Sequence, residues 1–153
     1  MKRIEVRLSL PVVAPLLDVM KSASDSLHGK LAAPLEMGEV DEDLREIWHD
    51  ELIGEQNGDI AKLLALFDRE FFASGVIAFD ADNAEPVVRA CAALRLRLRE
   101  SSLKGLTDEM LETGEVEIGK LDEPLSTTFT CYLFLATVQE LIIQNLDTLG
   151  EED

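Results

Sequence analysis

The sequence contains few of the residues and motifs on which common catalytic chemistry depends. Of 153 residues, only two are cysteine and two are histidine. It has no nucleophile elbow, Walker phosphate-binding loop, dinucleotide-binding glycine fingerprint or Cys-x-x-Cys pair. General catalysis therefore has little support, and we expect a non-enzymatic protein without a cofactor. Catalysis by two carboxylates alone stays open, because it needs only two placed acids.

Basic residues are also scarce. Lys and Arg number 14 against 31 Asp and Glu, which gives a net charge of −17. The acids concentrate in residues 31–70, with a net charge of −9, and in residues 106–153, with a net charge of −11. Such a surface repels phosphate backbones and anionic lipid surfaces, so we expect no nucleic-acid and no membrane partner. It suits a basic, polar or small partner, and halophilic adaptation would produce the same balance.

Long apolar runs and a disulfide framework are absent too. The longest apolar run, from Cys131 to Val138, is far too short to cross a bilayer. The N-terminal region is unlike a signal peptide, because Glu5, two prolines and Asp18 interrupt its apolar stretch. The two cysteines, Cys91 and Cys131, lie in apolar helical segments. We therefore expect a cytoplasmic protein with two buried thiols.

Helical periodicity dominates what is present. The length predicts one domain over residues 1–153, and the pattern predicts a mainly α fold. This fold has about five to six helices around a central C-terminal helix, with a minor β pair. The pair joins Arg3–Leu8 to Val76–Phe79, the two strong strand patterns. Helices are expected from Ser9 to about His28, Asp41 to about Gln56, Asp59 to Ser74, Asn83 through Leu98, Thr107 to Thr113 and about Ser126 to Leu149, with a further strand around Val116–Ile118.

The last predicted helix is apolar nearly all round between Tyr132 and Leu146, which is typical of a helix surrounded by others. We therefore expect five of its side chains to be nearly fully buried: Tyr132, Leu135, Ala136, Ile142 and Ile143. Glu140 lies on the same stripe at 100° per residue, with Gln139 on its flank. A buried carboxylate is costly unless it is paired, and arginine is its natural partner.

One basic island, from Leu94 to Arg99, can supply that arginine. We predict a Glu140–Arg95 pair, with Arg99 as the second choice of partner. The candidate binding residues are therefore Arg95, Arg99, Gln139 and Glu140. Such a pair would either fix how two helices pack or line a small pocket or a partner groove.

Two short spacings place an acid near a histidine on one helical face: Glu46 with His49, and Asp25 with His28. Glu-x-x-His is a ligand spacing of di-iron helical bundles. Acids are so frequent here that such pairs also arise by chance. We expect solvated or capping histidines and no metal, and we keep metal binding as the alternative.

Several segments between Leu44 and Glu140 form a recognisable set. They are the acidic helix opening into Glu51-Leu52, the run Leu63–Leu66, the strand Val76–Phe79, the Arg-Leu segment Pro86–Leu103, Thr107–Glu109 and the ending Tyr132–Glu140. Together they resemble the domain of unknown function 2017 family, which is mostly actinobacterial. The chain departs from that family's pattern at Ala92-Ala93, where the family has Asn-Asp, and at Phe134 and Thr137, where it has tryptophans. The resemblance implies a role around regulated proteolysis.

The expected function is a non-enzymatic protein-interaction or regulatory protein that binds another protein. The first alternative is a metal protein or enzyme using Glu46, His49 and nearby acids. The second is a transcription regulator, which only residues 89–104 could supply with a basic recognition helix and which the net charge disfavours. The oligomeric state stays open.

Overall fold

The computed structural model describes residues 3–33, 41–113 and 121–146. Within these ranges it contains six helices and two strands. The mainly α fold with a small β pair is thus confirmed. The strand predicted around Val116–Ile118 and the end of the last predicted helix, up to Leu149, lie outside the described residues. In chain order the elements are β1 (Arg3–Arg7), α1 (Leu10–Ser26), α2 (Glu42–Ala65), α3 (Arg69–Ser74), β2 (Val76–Asp80), α4 (Ala84–Glu100), α5 (Asp108–Thr113) and α6 (Glu123–Gln144).

The two strands pair with each other, as the sequence predicts. They run antiparallel, with Ile4 opposite Phe79 and Val6 opposite Ile77. Alternation places Ile77 and Phe79 in the core. The chain enters β2 through Gly75, whose φ of 76° lies in the left-handed region. A side chain there would also meet the carbonyl oxygen of Leu8 at 2.8 Å, so this position requires glycine.

Helix α4 lies at the centre of the domain and packs against α1, α2 and α6. Its apolar residues repeat at helical spacing, and Val87, Cys91, Leu94 and Leu98 are all buried. Helix α6 shares this central position and packs against α4 and α1.

Helix α6 is only partly surrounded. Tyr132, Leu135 and Ile142 are buried as predicted. Ala136 is half-buried and Ile143 is 52% exposed, so the prediction of near-complete burial is wrong for these two. The reason is geometric: α6 packs mainly against two helices, and one face is left without a covering element among the described residues.

Helix α6 begins earlier than the predicted Ser126. Asp122 accepts a hydrogen bond from the backbone nitrogen of Leu125 at 2.8 Å, and a proline follows in the first turn. Both are start signals. By length and composition α6 could also cross a membrane. This is weak support for a membrane span, because core helices of globular domains share these properties, and Phe129 and Leu135 of α6 are fully buried.

Helix α2 continues through Asn57-Gly58, where the sequence predicted a break. Glycine in a helix costs only about 1 kcal/mol, and the turns that follow bury Ile60 and Leu63 against the core. The break comes instead at residues 66–68, where the side chain of Asp68 accepts a hydrogen bond from Phe71 and starts α3. The predicted helices over Asp41–Gln56 and Asp59–Ser74 are therefore wrong in their division.

Candidate interaction surface

The basic island does not form one anion site. Its arginines and the flanking Arg89 each bind a different group. Arg89 binds Asp59 through two hydrogen bonds of 2.9 and 3.0 Å, and Arg97 of the island donates to the hydroxyl of Ser26 at 2.9 Å. The hydrogen bond to Asp59 raises the pKa of Arg89. Because successive residues of α4 point in different directions, the island is divided between separate contacts.

The predicted Glu140–Arg95 pair is wrong. Glu140 is exposed, and its carboxylate accepts a hydrogen bond from Gln144 at 3.0 Å. Arg95 instead donates to Oε1 of Gln139 at 2.6 Å. The sequence placed Gln139 on the flank of the stripe and Glu140 within it, but α6 is rotated so that the amide faces α4. A neutral amide avoids the desolvation cost that a buried carboxylate would carry.

Two further contacts hold Arg95. Its guanidinium lies 4.7 Å from the centroid of the Tyr132 ring and donates to the Tyr132 hydroxyl at 3.3 Å. The amide of Gln139 in turn donates to the backbone oxygen of Val88 at 3.0 Å. The four groups form a continuous network between α4 and α6, which fixes their packing.

Arg99 does not bind Glu140 either. It binds the carboxylate of Asp108 at the start of α5, and this hydrogen bond raises the pKa of Arg99. The structure therefore brings two of the four predicted binding residues together, Arg95 with Gln139, and separates Arg99 and Glu140 from them.

The two acid–histidine spacings do not converge on a common site. Glu46 and His49 line an open depression of about 510 Å³ on α2 with Glu42 and Arg45. His28 lies exposed just beyond α1, and its backbone oxygen accepts a hydrogen bond from Asn57 at 3.2 Å. Over residues 3–33, 41–113 and 121–146, no three Cys, His, Asp or Glu side chains are grouped as a metal site.

Both cysteines are buried and unpaired. Burial raises the pKa of each thiol from its ordinary value of 9.0 to about 12. A protonated, buried thiol is a poor nucleophile. These side chains therefore serve as core residues, as the sequence suggested.

An exposed apolar surface lies on the first half of α2. Four large side chains follow the i, i+3, i+4, i+8 spacing that places residues on one side of a helix. Their exposed fractions are 39% for Leu44, 55% for Ile47, 42% for Trp48 and 37% for Leu52. We call these four residues the α2 stripe. The sequence predicts a helix here, but apolar spacing alone indicates a buried face and not an exposed one.

Helix α4 runs alongside α2 in the opposite direction. Lys62 of α2 donates to the backbone oxygen of Asp82, just before α4, at 3.4 Å, and Asp59 pairs with Arg89 one turn further. The two helices therefore run antiparallel. By this register Glu100, the last residue of α4, falls level with residues 44–48 of α2, and the stripe side chains are exposed there all the same.

A groove continues the stripe between α2 and α4. It has a volume of about 440 Å³ and its lining is mostly apolar. We call it the α2–α4 groove. Alanines of α4 form one wall, and Leu52 belongs to both the stripe and the groove; other lining residues are Leu31, Glu55, Gln56 and Leu96.

Gln56 holds the second wall of the groove in place. Its Oε1 accepts a hydrogen bond from the backbone nitrogen of Ala32 at 3.0 Å, and its Nε2 donates to the backbone oxygen of Lys30 at 2.9 Å. These bonds fix residues 30–33 against α2. Sequence reasoning missed Gln56, because a single glutamine on a helix carries no signal of a contact with a segment about 25 residues earlier.

The charge around the stripe is strongly negative. Residues 41–55 contain seven acids and one arginine, and the acids of this segment are all exposed. Glu51 and Glu55 lie on the same side of α2 as the stripe, by the 100° spacing of a helix. The surface thus combines apolar side chains with a negative field.

No family model matches the chain, and no curated protein or solved structure matches it.

Proposed function

We propose that this protein is a non-enzymatic interaction protein that binds another protein through the α2 stripe. The observation that carries the proposal is the exposure of four large apolar side chains on consecutive turns of one helix. Single exposed apolar residues are ordinary, whereas a contiguous set of them marks an interaction site.

The energetics support this role. Full burial of a large apolar side chain is worth about 1.5–3 kcal/mol. The stripe residues are between 37% and 55% exposed, so covering all four would contribute a few kcal/mol to binding. The stripe also contains the chain's single tryptophan, a residue type enriched among the side chains that dominate binding energy.

The two buried thiols support a non-enzymatic role. The thiols are buried and protonated, so neither is an activated nucleophile. Two unpaired cysteines also support a reducing compartment, the cytoplasm. The resemblance to the domain of unknown function 2017 family adds regulated proteolysis as the setting of the interaction.

The test compares two matched variants in affinity capture from a cell extract. Ile47→Ser removes a stripe residue that is 55% exposed, and Val12→Ser removes a similarly exposed residue (58%) of another helix, α1. We expect a partner that wild type and Val12→Ser retain and Ile47→Ser loses. The captured protein is then purified, and its direct binding to wild type and to both variants is measured. A set of captured proteins identical for all three would contradict the proposal.

A further inference from the structure

We infer that the partner of the α2 stripe is a basic amphipathic helix of another protein, lying along the stripe with one apolar anchor in the α2–α4 groove. This inference rests on the proposed function and names the chemistry of the partner. It follows from the length of the surface, the shape of the groove and the charge around both.

The length of the surface suits a helix. Leu44 and Leu52 are eight residues apart on α2, which corresponds to about 12 Å at 1.5 Å per residue. The groove extends the surface to Asp59, which makes about 22 Å in all. A partner helix of about four turns spans that distance and presents apolar residues three or four positions apart.

The groove suits a large apolar anchor. Ala90, Ala92 and Ala93 form one of its walls and leave space beside Leu96. Its volume of about 440 Å³ exceeds that of any one side chain, so a leucine or phenylalanine can enter without displacing α4. Because Gln56 fixes the opposite wall, the groove is formed before the partner arrives, and binding loses little conformational entropy.

The charge selects a basic partner. Segment 41–55 carries a net charge of −6. Lysines and arginines that flank the apolar face of the partner would lie beside Asp43, Glu51 and Glu55, where opposite charge speeds association and excludes acidic competitors.

A second copy of this chain is a poor occupant of the same surface. Two stripes in contact would bring two segments of charge −6 together, and each copy carries −17 overall. Like charges facing each other oppose association. An anionic membrane is disfavoured for the same reason.

The probe is a synthetic peptide of about 16 residues made of leucine and lysine, with leucines at helical spacing. Trp48 is the only tryptophan and lies within the stripe, so its fluorescence reports binding directly. We expect a blue shift of the Trp48 emission and an affinity that falls as salt rises. A scrambled peptide of the same composition, and a peptide with glutamate in place of lysine, should each bind at least about tenfold more weakly.

Matched variants locate the contact. Ile47→Ser should weaken binding of the peptide at least about tenfold, and Val12→Ser should leave it unchanged. Asp43→Asn/Glu51→Gln should weaken binding and reduce its salt dependence. Neutralising two exposed acids of α5 instead, with Glu109→Gln/Glu112→Gln, should have little effect, because attraction is strongest near the charges that face the peptide.

Three results would overturn the inference. The scrambled peptide could bind as well as the amphipathic one, the stripe variants could bind as wild type does, or sedimentation could show a dimer that Ile47→Ser dissociates. The capture experiment distinguishes a failure of the basic-helix inference from a failure of the proposed function. A stripe-dependent partner that binds without a basic helix leaves the proposed function standing and removes only this inference. A capture that does not depend on the stripe removes both.

Discussion

Arg95 shows how a charged side chain can be held in a helix interface without an acid. Among the described residues it contacts an amide oxygen, a hydroxyl and the face of an aromatic ring, and its Nε has no hydrogen-bond partner. A guanidinium is weakly hydrated and stacks well on aromatic rings. The packing of α4 on α6 therefore depends on Tyr132 and Gln139 and not on Glu140.

Double-mutant cycles on the free energy of unfolding test this network. Arg95→Ala with Gln139→Ala should show a coupling of about 0.5–3 kcal/mol, because the two side chains touch. Arg95→Ala with Glu140→Ala should show a coupling near zero. Arg95→Ala alone should cost about 1–3 kcal/mol, from lost hydrogen bonds and stacking. A large coupling to Glu140 would contradict the geometry.

The two thiols allow a second prediction at the residue scale. At pH 8 a thiol reagent should leave Cys91 and Cys131 unmodified in the native protein and should modify both in denaturant, because they are buried and protonated. Rapid modification of the native protein would show that the core opens at one of the helices carrying them.

The same thiols make stability depend on alkaline pH. Their pKa is raised in the folded state, so their contribution to stability is complete below pH 9.0, the ordinary value, and is lost as pH rises towards about 12. The free energy of unfolding should therefore fall over this window. It should fall less in Cys91→Ala/Cys131→Ala, which serves as the control.

At the scale of the element, neighbouring isoleucines of α6 report its orientation. Ile142 is 1% exposed and Ile143 is 52% exposed. Ile142→Ala should cost about 2–5 kcal/mol, because it leaves a cavity, whereas Ile143→Ala should cost less than about 1 kcal/mol. Urea unfolding measures both. Equal costs would mean that α6 is covered on both faces.

The tether from α2 to residues 30–33 gives another prediction. Gln56→Ala removes hydrogen bonds to Ala32 and Lys30 and should cost about 1–3 kcal/mol, because a part-buried donor loses its partner. It should also weaken peptide binding, since one wall of the groove is released. Gln144→Ala, which removes an exposed hydrogen bond to Glu140, should change stability by less than about 0.5 kcal/mol. Equal costs would mean that the tether contributes nothing.

The elements that could be predicted are those whose pattern is local. Strand β1 alternates strictly, and the apolar face of α4 repeats at helical spacing, so both follow from period alone. The continuation of α2 through Gly58 could not be predicted, because packing further along the helix outweighs a local propensity.

The candidate site was the hardest part to predict, for a similar reason. The rotation of α6 decides whether residue 139 or 140 faces α4, and a shift of one residue changes the direction by 100°. The exposure of the α2 stripe depends on which side of α2 is turned towards its neighbours. The rotation of α6 and the exposure of the stripe both depend on how elements are placed relative to one another. The apolar periodicity within one element carries no information about that placement.

At the scale of the whole molecule, the negative charge lies at the surface and not in the core. None of the polar or charged residues of the described part is fully buried, so the acids act through their field at the surface. Around the stripe we propose that this field selects the partner, and elsewhere it opposes the compact state by self-repulsion.

The salt dependence of thermal unfolding separates self-repulsion from halophilic adaptation. Screening shortens the range of charge interactions to about 8 Å at 0.15 M salt and about 3 Å at 1 M. If repulsion among exposed acids is the main electrostatic effect, Tm should rise by a few degrees as KCl increases to about 0.3 M and then level off. For a domain of this size about 1 kcal/mol shifts Tm by about 2–4 °C.

A site-specific comparison shows which acids are responsible. Glu51→Gln removes an exposed acid from the most negative segment and should raise Tm at low salt only. Asp59→Asn instead removes the partner of Arg89 and should lower Tm, since it breaks a bidentate pair. A Tm that keeps rising into molar salt in wild type and in both variants would contradict screening as the cause. That result would point to halophilic adaptation, in which the acids hold water and ions at the surface.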